Sequence, residues 1–277
     1  MEINEKVDNR YNNFRLFCSQ INESNINVFR SNNFFRSIVE NVNNDYGNQY
    51  HKHVIENYND YLDLNNVDWK ELENVMKIGN PLVMDNYVIN NETYQFSPTV
   101  MRYFQFTLDM FKHIKEKEIT NELNVVEIGG GFGCQAALFC YFAKFFDVKV
   151  KTYTIIDLEE VCNLQKHYVK AVSKTLHLYD NNIKSITSDQ YNNNYDTNFV
   201  LSNYALGELN SYWQDFYINT IIKKSDNGYF CWNFSPANPT IHEYFKTIDN
   251  LIKEEENTQT NCPPVHSSIL RYKYYYL

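Results

Sequence analysis

Residues 125–134 read Val-Val-Glu-Ile-Gly-Gly-Gly-Phe-Gly-Cys. The chain has 277 residues but only 8 glycines, and four of those, Gly129, Gly130, Gly131 and Gly133, fall in this stretch. Leu123, Val125 and Val126 before the cluster suit a short strand, and residues 135–142 after it have the composition of a buried helix. Glycine between a strand and a helix permits positive φ and lets a ligand approach the backbone beside a helix N-terminus. A strand-to-helix turn without a ligand needs one or two glycines, not four. The stretch therefore predicts a ligand-binding turn in an α/β fold.

Downstream of the turn, strand-like segments (residues 123–128, 150–156, 183–187, 199–202 and 229–234) alternate with helix-like ones (135–146, 160–176, 214–224 and 241–255). Short apolar strands joined through helices imply right-handed crossovers and a mainly parallel sheet covered on both faces. The β-rich tail, residues 269–276, suits a last, antiparallel strand. Upstream, Ser97 followed by Pro98 predicts an N-cap and first helical position, with the helix running to about residue 117. Residues 69–76 predict another helix, stopped at Gly79-Asn80-Pro81. The first 95 residues are polar, Asn-rich and only patchily periodic. They are expected to form a helical cap, residues 1–95, on an α/β domain spanning residues 96–277.

A hydrophobic fraction of 43%, with 16% aromatic residues, supplies a core and excludes global disorder. The net charge is -9, and no Lys/Arg cluster exceeds pairs such as Lys223-Lys224, so nucleic acid is not expected as a partner. The six cysteines, Cys18, Cys134, Cys140, Cys162, Cys231 and Cys262, form no CxxC pair and match no zinc spacing. With no signal-like N-terminus and no run of membrane-span length, a cytoplasmic protein without a membrane partner is expected.

In a sheet of this kind a ligand lies beyond the carboxyl ends of the strands where strand order reverses. A dinucleotide fingerprint begun at Gly129-x-Gly131 would need Gly or Ala at position 134, which is Cys134. Glu127 at the strand end would also repel a pyrophosphate. Asp157, ending the second strand 24 residues beyond Gly133, can accept both hydroxyls of a ribose, or simply cap the following helix.

The pattern Glu127-x-Gly129-x-Gly131-x-Gly133 resembles motif I of class I S-adenosylmethionine (SAM)-dependent methyltransferases. That resemblance implies a Rossmann-like sheet, SAM as cofactor with its amino group near the strand-end acid, and adenine held near Ser188, Asp189 and Gln190. Three segments together, "VVEIGGGFGCQ", "YTIIDLEEVCNLQKHYV" and "LSNYALGELNSYWQDFYINTIIKKSDNGYFCWNF", look like the sugar O-methyltransferase family, as do "IGNP" and "SPTVMRYF" upstream. The similarity spans roughly residues 70–277. One departure is Gly207, where that family is expected to carry Ser. The family likeness implies O-methylation of a sugar or nucleotide-sugar, a step of glycan-precursor synthesis, with self-association through the cap. Arg102, on the helix before the turn, is expected either to meet the SAM carboxylate or to make a structural ion pair; with Leu158 and the strand-end Asn203 it joins Glu127, the glycines, Asp157, Asp189 and Gln190 in the expected cofactor set.

Methyl transfer to a hydroxyl needs the acceptor positioned and its proton removed. Candidates for this work are Tyr204 and Glu208, four residues apart and so on one face of a helix, and His266 in the Pro263-Pro264-Val265-His266 loop. Some sugar methyltransferases use a divalent metal, but no ligand cluster is evident in the sequence. The rival readings are an NAD-dependent oxidoreductase and a non-catalytic SAM-binding partner subunit.

Overall fold

The computed structural model describes residues 5–58, 62–119, 122–178, 182–191, 196–233, 240–248, 252–256 and 269–275. The N-terminal segment contributes helices α1 (Glu5–Ser19), α2 (Asn33–Ile38), α3 (Asn44–Asn57) and α4 (Trp69–Met76), then a hairpin of β1 (Asp85–Ile89) and β2 (Glu92–Phe96). The hairpin lies among residues expected to be helical. It forms because Asn90 and Asn91 both take positive φ, 53 and 64, the geometry of a tight two-residue turn, and Tyr87, Ile89, Tyr94 and Phe96 alternate inward. Helix α5 (Pro98–Glu116) begins as its sequence dictates, with the Ser97 hydroxyl accepting from Val100 N at 3.2 Å and Pro98 in the first turn.

The rest alternates β3 (Glu122–Ile128), α6 (Cys134–Ala143), β4 (Lys149–Ile156), α7 (Glu159–Leu176), β5 (Ile183–Ile186), β6 (Phe199–Asn203), α8 (Ala205–Glu208), α9 (Ser211–Thr220), β7 (Asn227–Asn233), α10 (Thr240–Phe245), β8 (Ile252–Glu256) and β9 (Ile269–Tyr275). Seven strands form one sheet in the order β5-β4-β3-β6-β7-β9-β8. Neighbours from β5 to β7 are parallel, and β9 is antiparallel to both β7 and β8. This is the Rossmann-like α/β sheet with an antiparallel C-terminal strand that the sequence implies. One segment differs. Residues 241–255, expected as a single helix, divide into α10 and β8, because pairing with β9 overrides the helical pattern of a Lys/Glu-rich stretch. A strand last in its sheet tolerates such charges.

The period of two along β3 decides which face each residue serves. Leu123 and Val125 join the core that runs from Phe14 to Cys231 and includes the N-terminal segment, whereas Val126 and Ile128 join the opposite core with Val200, Ile218 and Phe230. Glu127 shares the face of Leu123 and Val125, toward the N-terminal segment. Helix α5 packs against α3 and α6 and is buried along most of its length. The strand order reverses between β3 and β6, so the crevice beyond their carboxyl ends is the position the topology offers a ligand. No helix among the described residues is long and apolar enough to cross a membrane.

Candidate functional site

The glycine turn sits at that crevice. Gly129 N donates to Ile156 O at 2.9 Å, holding the turn to the end of β4. Its φ is +74, and a Cβ there would lie 2.1 Å from the Ala205 Cβ, so the turns after β3 and β6 can cross only over a glycine. Gly131 differs: its φ is +54, yet a Cβ would meet nothing nearer than Tyr103 Oη at 3.4 Å. There the backbone faces the open cleft. Gly133, at φ +90, caps α6.

Two carboxylates form one wall of this cleft, which encloses about 850 Å³ of empty space including its open mouth. Glu127 is 1% exposed, and burial pushes its carboxyl up to about 8; a hydrogen bond from Tyr153 Oη at 2.9 Å works against this, and Asp157 adds to it. Burial also raises Asp157, to about 6, against hydrogen bonds from Leu158 N (2.9 Å), Gln165 Nε2 (2.8 Å) and Gly130 N (3.0 Å). These three donors fill most of the roughly four lone-pair positions of a carboxylate, leaving space for one hydroxyl rather than two while Gln165 stays in place.

The opposite wall comes from α5 and the end of β6. Arg102 is 6% exposed, and its Nε has no hydrogen-bond partner. Its guanidinium lies 5.5 Å from the Tyr103 ring centre and 5.0 Å from that of Tyr204, and no carboxylate pairs with it among the described residues. A guanidinium is charged at any ordinary pH, so an unpaired, buried one is an unusual expense in a folded protein. Asn203 Oδ1 is likewise buried without a hydrogen-bond partner, and the buried Tyr204 hydroxyl has only the Cys231 thiol beside it. Tyr204 holds a left-handed φ of +73, a strain of the kind that gathers at functional sites. Glu208 stands at the mouth with an exposed side chain; the surrounding protein raises its carboxyl and Arg10 partly offsets this.

The N-terminal segment closes the cleft with Tyr11 and Phe14 of α1 and with Val39 and Asn41. Helix α1 is tied across α7 by Arg15 Nη2 to Glu160 Oε1 at 2.8 Å, and by Asn163 Nδ2 donating to Cys18 O (3.1 Å) and Ile21 O (2.8 Å). Arg30, fully buried, pairs with Glu40 and donates to Ser97 Oγ at 2.7 Å while lying 5.0 Å from the Phe132 ring centre, which fixes the glycine loop against the roof.

Of the residues expected from sequence, Arg102, Glu127, Gly129, Gly131, Asp157, Asn203, Tyr204 and Glu208 all line this one cleft. Gly133 shapes the turn from behind. Leu158 is 36% exposed and meets the site only through its N–H to Asp157. Asp189 and Gln190 are exposed and outside the lining; Gln190 closes its own turn, its side chain accepting from Thr187 N at 3.1 Å. His266 lies outside the described residues. The sequence reading missed Tyr11, Phe14, Asn41, Tyr103, Tyr153 and Gln165. Only Tyr153 and Gln165 carried a signal, being polar residues four strand positions before Asp157 and about two helix turns after it. No group of three or more His, Cys, Asp or Glu placed to hold a metal ion occurs among the described residues.

No protein-family model matches the chain, and no curated protein matches it in sequence. Solved structures similar to it in fold include a ribosomal-RNA methylase of Streptococcus thermophilus, 13% identical over 61% of this chain and 96% of that one, with a TM-score of 0.41. The N-terminal domain of human METTL16, in complex with S-adenosylhomocysteine (SAH), is 12% identical over 64% of this chain and 69% of its own, with a TM-score of 0.41. Magnesium protoporphyrin IX methyltransferase of Synechocystis PCC 6803, with bound SAM, is 12% identical over 80% of this chain and 96% of its own, with a TM-score of 0.40. The sugar O-methyltransferase likeness read from the sequence has no counterpart in these three. They also correct the expectation that nucleic acid is not a partner. An RNA methylase stands among the chains of similar fold, and net charge alone does not describe the local charge an acceptor meets.

Proposed function

We propose that the chain is a SAM-dependent methyltransferase with its cofactor in the cleft between β3 and β6. The observation that carries this reading is the division of charge across the cleft. Buried carboxylates line one side, and a buried, unpaired guanidinium and an unpaired amide oxygen line the other. A ligand that satisfies both walls carries an anion, a cation and hydroxyls together, as SAM does in its carboxylate, its ammonium and its ribose. Arg102 would hold the carboxylate, Glu127 and Asn203 the ammonium, and Asp157 a ribose hydroxyl. Gly131 leaves the backbone open to close approach. NAD would set a pyrophosphate toward Glu127, and it offers nothing for Arg102 and Asn203 jointly.

When bound, SAM supplies a methyl group already activated by its sulfonium, which departs as a neutral thioether. The chain's part is then to orient the acceptor and take up its proton. Glu208, raised at the mouth, is placed to accept that proton, with His266 as the other candidate. Tyr204, held in place by its strained backbone, orients the acceptor. Residues 1–95 enclose the acceptor side. At the finer level we take the acceptor to be a sugar hydroxyl, a reading supported by the sequence resemblance.

Calorimetric titration with SAM, SAH and NADH tests the cofactor, in the wild-type protein and in Glu127→Ala and Asp157→Ala. Binding of SAM and SAH, weakened in both variants and absent for NADH, is expected; binding of NADH alone overturns the reading. Transfer of labelled methyl from SAM to nucleotide sugars, with RNA run in parallel, tests the acceptor. Labelled RNA and unlabelled sugars would retain the cofactor assignment and replace the acceptor.

A further inference from the structure

The orphaned oxygen of Asn203 is the end of a hydrogen-bond chain whose direction is fixed inside the protein. Thr107 Oγ1 donates to the Tyr103 carbonyl at 2.8 Å. A carbonyl only accepts, so the single hydroxyl proton of Thr107 is committed there. Gln135 Nε2 lies 2.6 Å from that same hydroxyl and donates to it. The Gln135 side chain cannot turn round, because its oxygen would then face an oxygen with no proton to give. Gln135 Oε1 therefore points to Asn203, accepting from Asn203 Nδ2 at 3.1 Å. This leaves Asn203 Oδ1 buried without a partner in the wall of the cleft. Thr107 and Gln135 are both fully buried, on α5 and at the start of α6, and neither lines the cleft.

We infer that Thr107 and Gln135 are positioning residues: their relay locks the Asn203 amide so that it shows the cleft an acceptor, selecting a ligand group that donates N–H at that place. The inference rests on the cofactor reading above and identifies the ligand group as the ammonium of the cofactor's amino-acid end. An amide free to turn would present its NH₂ to that ammonium for part of the time, and the two donors would repel. The relay removes that alternative before the ligand arrives, which is preorganisation in its simplest form.

The test uses two ligands and two substitutions at a residue that touches neither ligand. SAH carries the amino-acid end; 5′-methylthioadenosine has the same nucleoside and thioether without it. Thr107→Val keeps the shape but removes the hydroxyl, freeing Gln135 and so Asn203 to turn. Thr107→Ser keeps the hydroxyl. SAH is expected to bind Thr107→Val about tenfold more weakly than wild type and Thr107→Ser within about twofold, while 5′-methylthioadenosine binds all three alike. A merely structural role would weaken both ligands together, and that result overturns the relay, as does Thr107→Val binding SAH like wild type. If Thr107→Val fails to fold, Gln135→Met removes the acceptor that holds Asn203 Nδ2 and frees the amide to turn, and SAH affinity unchanged there overturns the inference equally. Failure of the wild-type protein to bind SAH at all refutes the cofactor reading, and the relay assignment with it; SAH binding with indiscriminate variants refutes the relay alone.

Discussion

The two walls of the cleft are finished to different degrees. On the β3/β4 side both acids have protein partners: Tyr153 serves Glu127, and Gly130, Leu158 and Gln165 serve Asp157, with Gln165 Oε1 the one side-chain oxygen of that group buried without a partner. On the α5/β6 side Arg102 Nε and Asn203 Oδ1 are buried without hydrogen-bond partners. Folded proteins satisfy nearly all such atoms, so the second wall has the greater unmet demand for hydrogen-bond partners, while the acids of the first are largely satisfied from within the protein.

The largest expected effect breaks the first wall by pH. Glu127 rises from an ordinary value of 4.5 to about 8, so the folded protein holds a proton there that the unfolded chain releases. Its contribution is most favourable below about pH 4.5 and is lost as pH climbs through 8. Without ligand, Glu127→Gln should outlast the wild type in urea by on the order of 4 kcal/mol near pH 9 and match it near pH 4. A cationic ligand should lower Glu127 again and expel its proton, visible as a binding heat that changes with the buffer. Equal pH profiles for the two proteins would remove Glu127 from this role.

Next comes the seam where the walls meet. Gly129→Ala forces a side chain into Ala205 at a left-handed φ and should destabilise the fold by about 3 kcal/mol in denaturant titrations, with loss of SAH binding. Arg102→Met sharpens the contrast because its two effects have opposite signs. SAH affinity should fall by about 2 kcal/mol, while thermal stability holds or rises, since an unpaired buried charge is removed. A variant that loses stability but keeps its affinity would make Arg102 a packing residue. The smallest effect concerns the roof. Arg15→Ala removes a half-exposed ion pair to Glu160 and should cost about 0.5 kcal/mol in melting experiments, with a faster SAH off-rate if α1 must lift to release the ligand.

Much of the first wall was legible in the sequence, and little of the second. The glycines, Glu127 and Asp157 are read from short-range rules: strand period, turn chemistry, and an acid at a strand end. Arg102 and Asn203 could be named as candidates, but nothing local says that one lacks an ion pair and the other an N–H donor. The hairpin at 85–96, within a segment whose sequence suggests a helical cap, and strand β8, within a helix-like stretch, escape local rules for a related reason, since a strand exists only through its partner.

By itself, the sequence determined the alternation of strands and helices from β3 to β7, the capped start of α5 and the glycine turn with its two acids, because backbone conformation there depends on residues within a few positions. The tertiary structure decided that α1, more than 100 residues from the turn, roofs it. It placed Asp189 and Gln190 outside the cleft and aligned Thr107, Gln135 and Asn203 into one directed chain. The physical reason is that burial and hydrogen-bond satisfaction depend on what lies nearby in space, and residues far apart in the chain meet only once the sheet has formed.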